Sequence, residues 1–202
     1  MDEFEAIARM KQGDPAGLEE LVLRYQERAV VTAYLIVQDG PLAEDVAQDA
    51  FVQAYRKIGQ FDSSRPFGPW FLHSVVNAAL KAAGRQKRLI SLDRDEEDSN
   101  LQLIEKLADP HPQPEELLEQ SEARQQLKHA MARLTPNQRA AVVLRYYLEL
   151  SEAEMIEALH RPSSTVKWWL HSAKKRLRQI LNPVEAADES AGNVPIEKGS
   201  EE

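Results

Sequence analysis

Three prolines within five residues, Pro110, Pro112 and Pro114, constrain this 202-residue chain more than any other feature. Each ring holds φ at about −65° and removes a backbone donor, so neither a helix nor a central strand runs through them. The chain is thereby divided into two stretches, each folding by its own patterning. On both sides apolar residues recur at helical spacing, and strand signals are nearly absent. Leu18, Leu21, Val22, Tyr25, Ala29 and Ala33 follow this rhythm, with Asp14-Pro15 as cap and first-turn proline. A second helix is expected from about Asp39-Gly40-Pro41, with Leu42, Val46, Ala50 and Tyr55 inward, and a third from about Gly68-Pro69-Trp70 to about Arg88. These three helices form the expected N-terminal domain. After the prolines, helices are expected over 115–134, 136–148, 151–159 and 162–181. The expected fold class is all-α: two small helical domains joined by an acidic flexible linker.

Charge sharpens this division. The net charge is −8, which argues at first against nucleic acid, because phosphate binding is carried by Lys and Arg. Its distribution reverses that reading. Residues 93–122 hold eleven acids against Arg94 and Lys106, whereas 161–182 hold Arg161, Lys167, Lys174, Lys175, Arg176 and Arg178 with no acid. Residues 183–202 are again acidic, with scattered Gly, Ser and Pro, and read as a disordered tail. The expected organisation is 1–92, a linker over 93–114, a second domain over 115–182, and the tail.

Several classes are set aside by what the chain lacks. It has no cysteine, so no disulfide, thiolate metal site or thiol nucleophile arises. His73, His111, His129, His160 and His171 show no metal-ligand spacing, and there is no glycine-rich phosphate loop. No catalytic residue, metal or cofactor is expected, and the chain is not read as an enzyme. The acidic start, Met1-Asp2-Glu3-Phe4-Glu5, differs from a secretion signal, and no stretch approaches about 20 apolar residues. A cytoplasmic protein without membrane insertion is expected.

The most informative stretch runs from Leu150 to Leu181: a short capped helix, a tight turn, and a longer basic helix, the order of a helix-turn-helix. Ser151 and Glu154 stand at capping-box positions, and Ser163 or Ser164 is placed to cap the second helix after Pro162. Val166, Leu170, Ala173 and Leu177 form its apolar stripe, while Lys167, Trp168, His171, Lys174, Lys175 and Arg178 lie opposite. A recognition helix needs such phosphate anchors and base-reaching groups, although a solvated basic helix that binds nothing has the same pattern.

Leu134-Thr135-Pro136-Asn137-Gln138-Arg139, Ser151-Glu152-Ala153-Glu154 and Pro162-Ser163-Ser164-Thr165-Val166-Lys167 together resemble region 4 of extracytoplasmic-function (ECF) sigma factors, members of the sigma-70 superfamily. Leu18-Glu19-Glu20-Leu21, Ala43-Glu44-Asp45-Val46-Ala47-Gln48-Asp49 and the stretch from Phe61 through Pro69-Trp70 to Asn77 resemble region 2. The resemblance implies a bacterial RNA polymerase sigma factor that directs core polymerase to a promoter set and opens it. It implies that Asp45, Gln48 and Asp49 dock on the polymerase clamp helices. It also implies that Phe67, His73, Asn77, Lys81, Arg85, Lys87 and Arg88 serve the downstream element, with Trp70 as core or contact. It implies further that Ser163, Ser164, Thr165, Lys167, Trp168, His171, Lys174 and Lys175 serve the upstream element while the same domain meets the polymerase flap. Core RNA polymerase, promoter DNA and an anti-sigma protein are the implied partners. The linker either threads polymerase channels or is an ordinary spacer.

Three departures bear on specificity. Trp168-Trp169 and Ser172 with Lys174 stand where the family has arginines that fork onto guanine, so its usual upstream preference is not transferred. The tryptophans either cover thymine methyls or pack on a neighbour. His160 replaces the turn glycine, requiring a different turn or a left-handed residue, and His73 replaces an arginine. The alternative function is a sigma-like adaptor that binds polymerase without efficient promoter recognition.

Overall fold

Helix α1 (Glu3–Lys11) starts where the Asp2 carboxylate accepts a hydrogen bond from the Glu5 amide, and it buries Ala6, Ile7 and Met10. It adds a fourth helix to the three expected of the N-terminal half. Its apolar stripe spans barely two turns, too short to stand out by periodicity, and Gly13 (φ 83°) ends it by taking the left-handed conformation.

Asp14 caps α2 (Pro15–Val37) through the Ala16 amide, as the Asp-Pro pair implies. α1 crosses α2 closely because position 17 is glycine: a Cβ there would run into the Ala6 carbonyl oxygen. Asp39 accepts from the Leu42 amide and starts α3 (Gly40–Lys57), with Val46 and Ala50 buried and Leu42 and Tyr55 half-buried. A 3-10 turn (Ile58–Gln60) leads towards α4 (Phe67–Ile90). Phe67 stacks on Phe71 at 5.6 Å between ring centroids, and Phe61, Trp70 and Tyr25 close around them. Burial and a hydrogen bond to Glu3 push the Tyr25 phenol up to about 12.

The computed structural model describes the backbone of residues 1–90 and 114–182 and the side chains of 1–86 and 122–182. The expected acidic linker up to residue 113 and the tail over 183–202 lie outside the described residues. The second half comprises α5 (Pro114–Ala132), α6 (Pro136–Val142), a π-turn (Val143–Tyr147), α7 (Glu152–Leu159) and α8 (Ser163–Leu181). α6 was expected to continue helically to 148; instead it widens into the π-turn, and Glu149 follows at φ 57°. Thr135 with Gln138 and Ser151 with Glu154 form capping boxes at α6 and α7. At α8 the N-cap is Pro162 with no side-chain bond, so Ser163 and Ser164 are first-turn residues and do not cap.

Among the described residues all regular structure is helical, and no helix is long and apolar enough to cross a membrane. One continuous apolar core runs through both halves, because α2 and α4 pack against α6 and α4 also packs against α7.

Candidate nucleic-acid interface

Three surfaces carry the expected functional residues. The first is on α3. Ala43, Val46, Ala47, Ala50 and Phe51 turn inward, which leaves Asp45, Gln48 and Asp49 exposed together on the outer side.

The second is on α4 and differs from expectation. Phe67 is 1% exposed in the aromatic cluster, so this expected DNA contact is corrected to a core residue. Trp70 packs half-buried against Phe61 and Phe67. Lys81 and Arg85 are exposed; the side chains of Lys87 and Arg88 lie outside the described residues. His73 and Asn77 face the second half of the chain. The Asn77 amide donates to the Ala158 carbonyl of α7 at 2.9 Å, although the residue keeps an exposed flank. His73 is half-buried beside a cavity of about 90 Å³ shared with Arg28, Leu72, Leu148 and Leu150. Its Nε2 is buried with no hydrogen-bond partner. Burial holds the imidazole below its ordinary pKa, partly countered by Glu157 and Glu154 of α7.

The third surface is α8. Val166, Leu170 and Ala173 are buried, so the opposite side is open. Ser163, Ser164, Lys167, Trp168, His171, Lys174 and Lys175 are exposed and Thr165 is half-buried. The two tryptophans divide: Trp168 is 62% exposed, whereas Trp169 packs against the core. Lys167 pairs with Glu152 at 3.4 Å, and the Lys174 ammonium lies 5.6 Å from the centre of the Tyr146 ring. The turn before α8 is made by His160 at φ 50°, ψ 45°, the left-handed alternative expected when glycine is absent.

Arg139 is a residue that periodicity missed. It is only 8% exposed; its Nε donates to the Ile36 carbonyl at 2.6 Å and its Nη1 to the Leu134 carbonyl at 2.9 Å. Ile36 lies in the last turn of α2, where carbonyls lack intrahelical partners and the helix end is electronegative. A guanidinium fits there, and burial brings its pKa down only to about 10, so it stays charged at neutral pH. Its signal in the sequence was an arginine in the last turn of α6 beside Ala140 and Ala141, where a solvent-facing base would be the ordinary reading. Gln138, also buried, ties α6 to α8 through Ser172 at 2.9 Å.

Residues 21–89 match the sigma-70 region 2 family, and residues 124–177 match sigma-70 region 4. The chain belongs to the sigma-70 family. The ECF RNA polymerase sigma factor SigW of Bacillus subtilis is 28% identical over 176 residues, covering 87% of this chain and 94% of that protein. The ECF RNA polymerase sigma-E factor of Escherichia coli K12 is 29% identical over 185 residues, covering 88% and 93%. The fold is shared with the sigma factor RpoE of Bartonella quintana, solved with the anti-sigma factor NepR, at TM-score 0.60 and 17% identity over 81% of this chain and 95% of that one. The chain is thus an ECF-type sigma factor, and its regions 2 and 4 mediate polymerase binding and promoter recognition.

Proposed function

We propose that this sigma factor divides its work among the three surfaces. Asp45, Gln48 and Asp49 dock on the clamp helices of core polymerase. His73, Asn77, Lys81 and Arg85, with Lys87 and Arg88 beyond them, hold the separated downstream strand. Such a strand exposes base edges and phosphates, which suit amide, imidazole and cationic groups. The open side of α8 reads upstream duplex while its half of the chain meets the polymerase flap: Lys174 and Lys175 anchor phosphates, and Trp168 takes apolar contact with thymine methyls. The acidic linker follows basic polymerase channels. The protein acts in the cytoplasm, has no catalytic activity of its own, and is held in check by an anti-sigma protein, as RpoE of Bartonella quintana is found with NepR.

The observation that carries this reading is the separation of an exposed acidic and amide row on α3 from an exposed basic side on α8, each backed by its own buried stripe. Run-off transcription with purified core polymerase on a library of promoter fragments tests it, with Asp45→Ala/Gln48→Ala/Asp49→Ala as the comparison. Promoter-specific transcripts that vanish with the variant are expected. Core binding without transcripts from the unmodified protein would favour the adaptor, and no core binding would overturn the docking role.

A further inference from the structure

We propose that a polar cleft at the meeting of α4, α6, α7 and α8 binds a free nucleoside phosphate, giving this sigma factor a small-molecule site alongside its polymerase and promoter faces. The cleft has a volume of about 280 Å³ and is lined by Asn77, Lys81, Asn137, Arg161 and Trp169. Small-molecule pockets run from roughly 300 Å³ upwards, so the space suits one mononucleotide and not a dinucleotide.

Asn77 and Lys81 lie one turn apart on α4 and so share a face. Asn137 is in the first turn of α6, Arg161 follows the left-handed His160 in the turn before α8, and Trp169 lies in the second turn of α8. Each part of a nucleotide meets a group suited to it. Lys81 and Arg161 are exposed, and neither has an acidic partner among the described residues, so both are available to phosphate oxygens. The Asn77 amide nitrogen donates to the Ala158 carbonyl at 2.9 Å, which fixes the amide plane and leaves its oxygen to accept from a base amine. Asn137 is exposed and adds a second amide, with both donor and acceptor. The Trp169 indole packs half-buried against the core, so it offers a fixed ring for stacking, and Leu80 and Leu159 add apolar wall.

Two cations alone would take any small anion. The amides and the indole add what recognises a flat ring with polar edges, which inorganic phosphate lacks. Lys174 and Lys175 do not line the cleft, so it is distinct from the side of α8 proposed to meet duplex DNA. Asn77 and Lys81 are also proposed to hold the separated strand. On that reading nucleotide and strand compete for the same groups, and each weakens the other by one factor. Nucleotide binding does not depend on that reading, because Asn137, Arg161 and Trp169 have no part in it.

The full chain, without polymerase or DNA, provides the test in equilibrium dialysis against AMP, GMP, ADP and GDP, with inorganic phosphate, adenosine and guanosine as competitors. At least one nucleotide is expected to bind saturably with a Kd below about 1 mM, and phosphate or nucleoside alone to compete about tenfold less well or worse. Arg161→Glu should weaken binding about tenfold or more, the loss of one charge-assisted hydrogen bond. Arg161 is exposed in a turn, so this variant keeps its fold even if the partly buried Trp169→Leu, expected to weaken binding as well, does not. Arg176→Glu makes the same charge change at an exposed position of α8 outside the cleft and should leave nucleotide binding unchanged. Absence of saturable binding to any of the four nucleotides would overturn the site. Equal weakening by Arg161→Glu and Arg176→Glu would overturn it too, since general charge attraction would then account for the binding. Displacement by inorganic phosphate as readily as by nucleotide would overturn recognition of the base. Promoter-specific transcription is measured separately, so none of these failures touches the roles proposed for α3 and α8.

Discussion

Helices α4 and α8 both carry bases and apolar stripes, yet they meet solvent differently. α4 is anchored by an aromatic cluster of Phe61, Phe67, Trp70 and Phe71, and a further side of it, bearing His73 and Asn77, is taken by α7. α8 packs along the narrow row Val166, Leu170 and Ala173 and leaves the rest open. The difference teaches that a basic helix becomes available to DNA through the width of its apolar contact as much as through its charge.

The largest expected effect contrasts the two anchors. Phe71→Ala removes a fully buried ring and should cost about 3–5 kcal/mol in denaturant unfolding, whereas Leu177→Ala at the half-buried end of the α8 row should cost less than about 2 kcal/mol. Equal costs would erase the distinction. Next, Lys174→Glu/Lys175→Glu should weaken duplex binding by roughly tenfold or more and lower the slope of log affinity against log salt by about 2. An unchanged slope in a salt titration would mean that the open side of α8 does not meet phosphate.

A smaller effect probes α7, which packs against α4. Ser151→Ala removes the α7 capping box and should cost about 1 kcal/mol, with hydrogen exchange quickening in α7 before α4. Uniform exchange would contradict a separately opening α7. The smallest effect is acid weakening of the packing around His73. Burial depresses the His73 pKa in the folded chain, so the unfolded chain binds the proton more tightly. The histidine's contribution to the packing of the two halves is fully present above its ordinary value of about 6.5 and is lost as pH falls through it. Burial opposes protonation, and the Glu157 and Glu154 carboxylates of α7 partly offset it. Stability in denaturant unfolding should fall slightly between about pH 7.5 and pH 5.5, and His73→Gln should flatten the change.

Much of this was legible in the residues. Asp14-Pro15, Asp39-Gly40-Pro41 and Ser151 with Glu154 mark helix starts by local hydrogen bonding, and the structure places them so. The helix-turn-helix was equally local, whereas of the two turns left open at His160 the structure takes the left-handed one. Less legible were α1, whose two-turn stripe is brief, and the start of α8, where Pro162 alone sets the boundary.

The sequence by itself determined an all-helical chain of two regions, their order, and the family to which it belongs, because caps, prolines and three-and-four spacing act between neighbours in the chain. Only the tertiary structure decided that Phe67 is core, that Trp168 is open while Trp169 packs, and that Arg139 closes on the end of α2. Arg139 and Ile36 are 103 residues apart, as Asn77 and Ala158 are 81. Periodicity tells which side of a helix is apolar, but not which distant carbonyl will lie opposite a polar group, since that depends on how two finished helices pack.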